Sequence, residues 1–356
     1  MKKRAFKSTV YVFTALMLIL LTSCKNNPFE RSGGGESALS SENKGSENRG
    51  IENKSIDSKE FKNNIVSKGD GEEEFPEMEM EIIFHVLSSR ETMDIDSGKI
   101  PFAYLSVSEI KLSDNSVSAY PKLAEAIKKT FDYYVEEAYT RFAALSFSSL
   151  ESNYEGYLGD YKTTFSDVLD VSISRADERI FSCLIVRNSY WGGAHPNYGY
   201  GMLSFDTQSG EPLDINDVVY ADKISAEMIW DELRPFYTDK SEYEGSEELK
   251  SGIMTCIEEV VKERYYTWVL DDEGLHIYFS PYEIASHAFG GSESIFSYED
   301  YPDIFKEKYL PTGKEFSPEW SYEEKELSFE EILEYVEENE IREYYQECLD
   351  KYKEMF

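Results

Sequence analysis

The segment from residue 25 to residue 75 sets the bounds on what this chain can fold into. Ser, Asn and Gly dominate it, large apolar side chains are scarce, and residues 41–55 read SENKG, SENRG and IENKS, a polar repeat of period five. Fixing one backbone residue costs about 1–2 kcal/mol of chain entropy. A segment with so little apolar surface has almost nothing to set against that cost. Charges of both signs alternate along it, so it reads as a flexible tether. Any packed core must come from residues 76–356.

The tether follows a short leader. Lys2, Lys3, Arg4 and Lys7 precede an apolar run from Val10 to Leu21 broken only by Thr14. That run is shorter than the roughly 20 residues a membrane span needs, and an apolar run of this length behind a basic stretch reads as a secretory signal. It ends in Leu21-Thr22-Ser23-Cys24, which resembles the bacterial lipobox. The resemblance implies a signal peptide over residues 1–23 and a lipid on Cys24. Residues 24–75 would then tether an extracytoplasmic body that is anchored to a bacterial membrane without spanning it. Three further cysteines remain, Cys183, Cys256 and Cys348. Their odd number allows one pair and a spare thiol. No Cys-x-x-Cys or Cys/His ligand spacing is present, so no metal site is expected.

The net charge is −34, with 70 acidic against 36 basic side chains. Like charge repels phosphate, which excludes a nucleic-acid partner and a basic membrane-binding patch. The acidity is unevenly placed: residues 25–75 carry only −3, residues 76–310 carry −25 and residues 311–356 carry −10. An acidic folded body attracts cationic partners and speeds their association.

Hydrophobic periodicity outlines the elements of that body. Glu77-Met78-Glu79-Met80-Glu81-Ile82 alternates polar and apolar, the strand period. A second strand is expected within Pro101–Leu112. Pro121 suits a first helical turn, and Leu123, Ile127, Phe131, Tyr134, Ala138 and Phe142 fall on one helix face. Strands are expected within Tyr161–Ser174, Ile180–Trp191 and Tyr198–Asp206, with a turn at Thr207–Gly210 and helices near Asp222–Leu233 and Ser246–Arg264. Asp271-Asp272-Glu273-Gly274 between two apolar runs is a hairpin signal. In the acidic extension, Phe329, Ile332, Leu333 and Val336, then Tyr344, Tyr345, Cys348 and Tyr352, form apolar stripes of one or two amphipathic helices. Without regular βαβ alternation, the expected fold class is α+β, with antiparallel strands packed against helices.

The most informative stretch is Ser189-Tyr190-Trp191-Gly192-Gly193-Ala194-His195-Pro196-Asn197. Paired glycines permit positive φ and close backbone approach, and the proline holds His195 extended. Later come Leu203-Ser204-Phe205-Asp206, Ser209-Gly210-Glu211-Pro212-Leu213 and Phe279-Ser280-Pro281-Tyr282-Glu283-Ile284-Ala285. In order and spacing these runs resemble the PdaC/RsiV-type extracellular module of polysaccharide deacetylases and anti-sigma factors, over roughly residues 77–310. Two departures stand out: His287 where members often carry an aromatic, and the added glycine of Gly290-Gly291. The resemblance implies a PdaC-like N-terminal subdomain at 76–180, an RsiV-like C-terminal subdomain at 181–310 and a helical acidic extension at 311–356. It also implies lysozyme, a cationic secreted protein, as a partner, since the anti-sigma module binds lysozyme as its signal.

Two function classes follow. In the first, a non-catalytic, sensor-like binding lipoprotein faces a lysozyme-like cationic protein or peptidoglycan. Its site would comprise Tyr190, Trp191, Gly192, Gly193, His195, Tyr198, Tyr282 and Glu283, aromatic side chains being suited to sugar rings and to protein partners. In the second, the chain modifies cell-wall glycan, as a hydrolase, a deacetylase-related protein or an accessory, with His195, Glu283 and Asp206 as candidates. The first is preferred. Deacetylase motifs, a nucleophile elbow and a phosphate loop are all missing from the sequence, and no cofactor is expected.

Overall fold

The computed structural model describes residues 76–154, 162–238, 247–313, 316 and 318–355. The expected signal peptide at 1–23, the expected lipidation at Cys24 and the expected tether at 24–75 lie outside the described residues. The α+β class is borne out.

A six-stranded sheet organises the body, built from β1 (Met80–Ser89), β4 (Ala103–Leu112), β5 (Phe165–Ala176), β6 (Ile180–Tyr190), β7 (Asn197–Asp206) and β11 (Pro318–Leu327) in the order β11-β1-β4-β5-β6-β7. A small hairpin, β2 (Thr92–Ile95) and β3 (Gly98–Pro101), links β1 to β4. Two of the sheet's pairings are parallel, β1 with β11 and β4 with β5. Parallel neighbours need a long crossover. Between β4 and β5 it is supplied by α1 (Asp114–Ala119) and the 34-residue α2 (Pro121–Tyr154). Leu123, Ile127, Phe131, Ala138 and Phe142 of the expected stripe are buried on α2.

Side chains alternate across a strand, and on β6 this puts different neighbours on the two faces. Ser182 Oγ accepts the Leu270 backbone N–H at 3.1 Å, which places a second, three-stranded sheet on that face. It is formed by β8 (Thr267–Leu270), β9 (Gly274–Phe279) and β10 (Ser292–Ser297) in the order β10-β9-β8. The adjacent Cys183 points to the opposite face, where it lies near Tyr134 of α2. Two hydrophobic cores result. One, with Phe102, Leu105, Phe142 and Phe147, fills the α2 side. The other, with Ile229, Trp268, Ile277 and Phe296, lies under β8–β10 and the helices α4 (Ala226–Thr238) and α5 (Glu247–Glu263). Before them, a single-turn α3 (Ile215–Val218) starts at Asp214 with a capping box closed by Asp217. The expected subdomain boundary at 180/181 falls at the β5–β6 turn, and these two strands pair with one another in the main sheet.

The acidic extension forms two amphipathic helices, α6 (Phe329–Leu333) and α7 (Asn339–Met355). Phe329, Ile332, Leu333, Val336 and Leu349 are buried in the α2-side core, so the extension docks on its own body. The helices are preceded by a strand that the sequence pattern does not disclose. β11 pairs with β1 over ten residues, from Met80↔Pro318 to Ser89↔Leu327. Nearly all its side chains face solvent, and its one short alternation, Trp320 and Tyr322, stacks on Phe84 of β1 without entering a core. No helix among the described residues is long and apolar enough to cross a membrane. Among the described residues, Cys183, Cys256 and Cys348 form no disulfide with one another.

One buried ion pair ties the chain's later part to the sheet. A bulge between Ile173 and Arg175 in β5 shifts the register there. Both Arg175 and Asp177 side chains are only 2% exposed and pair at 2.5 Å. The Arg175 guanidinium also donates to the carbonyls of Tyr309 and Leu310 at 2.7 and 2.9 Å.

Candidate functional site

The two sequence motifs meet at one end of the main sheet. The loop joining β6 to β7 carries Gly192 and Gly193 at φ 85° and 104°. A Cβ on Gly192 would lie 3.0 Å from the Phe165 ring, so that position needs glycine for both conformation and space. The Tyr190 hydroxyl donates to the Gly193 carbonyl at 3.1 Å. His195 Nδ1 lies 3.0 Å from the Pro196 carbonyl oxygen.

The second motif follows β9. Ser280-Pro281-Tyr282-Glu283 closes a turn in which the Glu283 N–H donates to the Ser280 carbonyl at 3.1 Å. Proline occupies the second position and Tyr282 the third, at φ 69°. That is the pattern of a type II turn, whose third position normally goes to glycine. A tyrosine there holds backbone strain of order 1–3 kcal/mol. The Glu283 carboxylate accepts the Ser280 N–H at 2.8 Å. Burial nevertheless pushes Glu283 up to about 7, the Ser280 N–H pulling it back only in part.

His287 and the double glycine bring the two loops together. The rings of His195 and His287 stack with centroids 3.9 Å apart and planes 20° apart. Tyr282 and Tyr198 lie 5.3 and 6.3 Å from the His287 ring. The Tyr198 hydroxyl accepts the Gly291 N–H at 2.5 Å. A Cβ on Gly291 would come within 2.6 Å of the Tyr200 ring, which explains the added glycine. Ser280 Oγ accepts the Tyr200 N–H at 3.0 Å. His287 and Gly291 therefore both reach across to β7 and the loop before it.

Of the expected residues, Tyr190, Trp191, Gly192, Gly193, His195 and Tyr198 belong to the first loop and its flanks, and Tyr282 and Glu283 to the second. Trp191 and Tyr282 are 40% and 54% exposed. Asp206 is not brought to them. It ends β7, roughly 25 Å from Tyr198 at about 3.3 Å per strand residue, where it pairs with Lys308 at 2.6 Å. The catalytic set of His195, Glu283 and Asp206 is therefore not assembled. In the sequence, His287 stands out only as a departure from the resembled pattern, and Ser280 carries no signal of its own. A histidine shortly after a Pro-Tyr-Glu turn was the available signal.

Residues 214–299 match the model of a family described as a protein of unknown function (DUF3298). That segment includes β8–β10 and the Tyr282 turn. No curated protein matches the chain. Among solved structures, the chain is similar to a DUF3298 family protein from Pseudomonas aeruginosa PAO1, at 12% identity over 67% of this chain and 98% of that one, with a TM-score of 0.43. It is also similar to a member of the same family from Bacteroides fragilis NCTC 9343, at 17% identity over 64% and 94% of the two chains, with a TM-score of 0.38.

Proposed function

We propose that this chain is a lipid-anchored, extracytoplasmic, sensor-like binding protein that captures a cationic secreted protein of the lysozyme type. The observation that carries the reading is exposed Tyr282 beside the stacked His195–His287 pair, with exposed Trp191 in the same loop as His195. Rigid aromatic side chains with one free face are the residues that dominate binding energies at protein interfaces. Around them, a folded portion carrying −25 over residues 76–310 steers positive partners inward. The motif resemblance to the PdaC/RsiV-type module and the lipobox at Cys24 support the same reading.

Binding of the full chain to lysozyme, measured by surface plasmon resonance across a salt series, tests it. Binding should be present at low salt and weaken as salt screens the acidic field. Trp191→Ala and Tyr282→Ala should each weaken it by about 30-fold, as the loss of some 2 kcal/mol at an interface hot spot implies. No binding at low salt sinks the reading. The same aromatic faces fit sugar rings, so binding of peptidoglycan fragments without lysozyme would transfer the site to the glycan reading. For the anchor, Cys24→Ala should release the protein from membranes and abolish fatty-acid labelling.

A further inference from the structure

The β8–β9 hairpin holds a second constellation, separate from the loop site. Asp271, Glu273 and His276 each offer a ligand atom, all within 4.8 Å of one another. The turn fixes the first of these. Asp271 Oδ1 accepts the N–H groups of Glu273 and Gly274 at 2.7 and 2.9 Å. Gly274 is required there, because a Cβ would lie 2.1 Å from the Phe296 carbonyl oxygen. With Oδ1 engaged by the turn, Oδ2 faces His276 Nε2 at 2.9 Å.

His276 supplies the observation that separates this cluster from an ordinary acidic turn. It is a buried side chain, 7% exposed, and its Nε2 is a buried atom with no hydrogen-bond partner. The contact with Asp271 is close, but its direction is not that of a hydrogen bond. The other ring nitrogen is committed: Nδ1 lies 2.6 Å from Glu293 Oε1 on β10. A carboxylate behind the imidazole, holding the ring so that the remaining nitrogen points at a neighbouring carboxylate, is the second shell seen around metal-bound histidines. The spacing is close to that of a ligand pair. Two ligands about 2.1 Å from one ion stand about 3.4 Å apart at the tetrahedral angle, about half an ångström more than the 2.9 Å between Asp271 and His276.

We propose that Asp271, Glu273 and His276 form a binding site for a divalent transition cation, oriented by Glu293. One imidazole and two carboxylates suit zinc or manganese, whereas calcium and magnesium prefer all-oxygen shells. The Glu273 side chain is exposed, so the remaining coordination positions open to solvent or to a ligand atom from outside. Cys-x-x-Cys and Cys/His ligand spacings, on which the expectation of no metal site rests, are absent from the sequence. This site needs none, since a hairpin turn and the neighbouring strand bring its carboxylates to a single histidine.

Calorimetric titration of the full chain with zinc chloride, after treatment with a chelator, tests the site. Raised salt suppresses diffuse binding to the many other carboxylates. One saturable site is expected. His276→Gln should abolish it, and Glu293→Gln should weaken it by about 10- to 100-fold. Glu273→Gln alters only an exposed side chain and leaves the fold intact; it should weaken binding by about tenfold or more as one of three ligands is lost. The imidazole nitrogens of His276 should shift on zinc addition. Absence of a saturable site, or saturable binding unchanged in Glu273→Gln and His276→Gln alike, overturns the proposal.

Discussion

The two ends of β7 differ in how they treat a carboxylate, and the difference separates what holds this protein together from what it presents. At the Asp206 end, burial would raise the carboxyl, but Lys308, Ser209 and Tyr309 outweigh it and hold Asp206 down at about 2. Close by, the β5–β6 turn holds Arg175 and Asp177, a fully buried pair whose guanidinium also satisfies two backbone carbonyls. At the Tyr198 end, burial dominates instead, and Glu283 is pushed up to about 7 beside a tyrosine in the left-handed region. Charges at the first end are matched to partners from elements far apart in sequence, as a structural joint requires. The second end retains backbone strain and exposed aromatic faces, the state in which binding loops on a rigid scaffold are commonly found.

Breaking the joint should have the largest effect. Arg175→Ala leaves Asp177 buried beside a lost cation and should cost about 3–5 kcal/mol in chemical denaturation. A cost below 1 kcal/mol would mean that this end is not the joint described. Glu283→Gln should act in the other direction. The native carboxyl titrates at about 7 against an ordinary 4.5, so between those values the folded state binds more protons than the unfolded one. Stability then falls as pH rises through that window and stays reduced above it. At about 1.4 kcal/mol per pH unit, this group contributes a loss of roughly 3 kcal/mol by pH 8. Glutamine cannot ionise and keeps an acceptor for the Ser280 N–H, so the variant should gain about that amount at pH 8 and show a flatter stability profile. An unchanged pH slope would remove the contrast between the two ends. Asp206→Ala should fall between these and the smallest effect, at about 1–3 kcal/mol, from the hydrogen bonds that Ser209, Tyr309 and Lys308 lose. The pH dependence due to Asp206 has the opposite sign: its stabilisation is present above about 3.8 and is lost as pH falls through 2.

What the sequence discloses about these ends follows from the range of the interactions. β6, β7, the β8–β9 hairpin and the α2 stripe are legible because period and turn chemistry are local. Both loops of the site are legible for the same reason, through paired glycines in one and Ser-Pro-Tyr-Glu in the other. Their meeting is not, because Tyr198 and Gly291 stand 93 positions apart. Arg175 lies 134 positions from the carbonyl of Tyr309, and nothing in its neighbourhood marks it as buried. β11 escapes detection for a different reason. Most of its side chains project into solvent beside β1, so its identity as a strand resides largely in backbone hydrogen bonds, and the Trp320–Tyr322 alternation is too short to mark it. His276 reads as a lone histidine until the hairpin and β10 place Asp271 and Glu293 against its two nitrogens.

The smallest effect bears most directly on why strain is kept at the loop end. Tyr282 occupies the turn position that glycine fills without penalty, and its ring is more than half exposed. Tyr282→Gly relieves the left-handed backbone, worth about 1–2 kcal/mol, and gives back part of that through the greater freedom of glycine in the unfolded chain, about 0.5–1 kcal/mol. Thermal unfolding should therefore show a gain of about 1 kcal/mol or less. The same change removes the ring beside His287, so binding of the cationic partner should weaken by about 30-fold, as for Tyr282→Ala. Stability and binding should move in opposite directions only if the tyrosine is held in strained backbone for the sake of its exposed face. If instead Tyr282→Gly destabilises the fold, the ring is a packing element of the turn. The loop end would then be a structural joint of the same kind as the Arg175–Asp177 end.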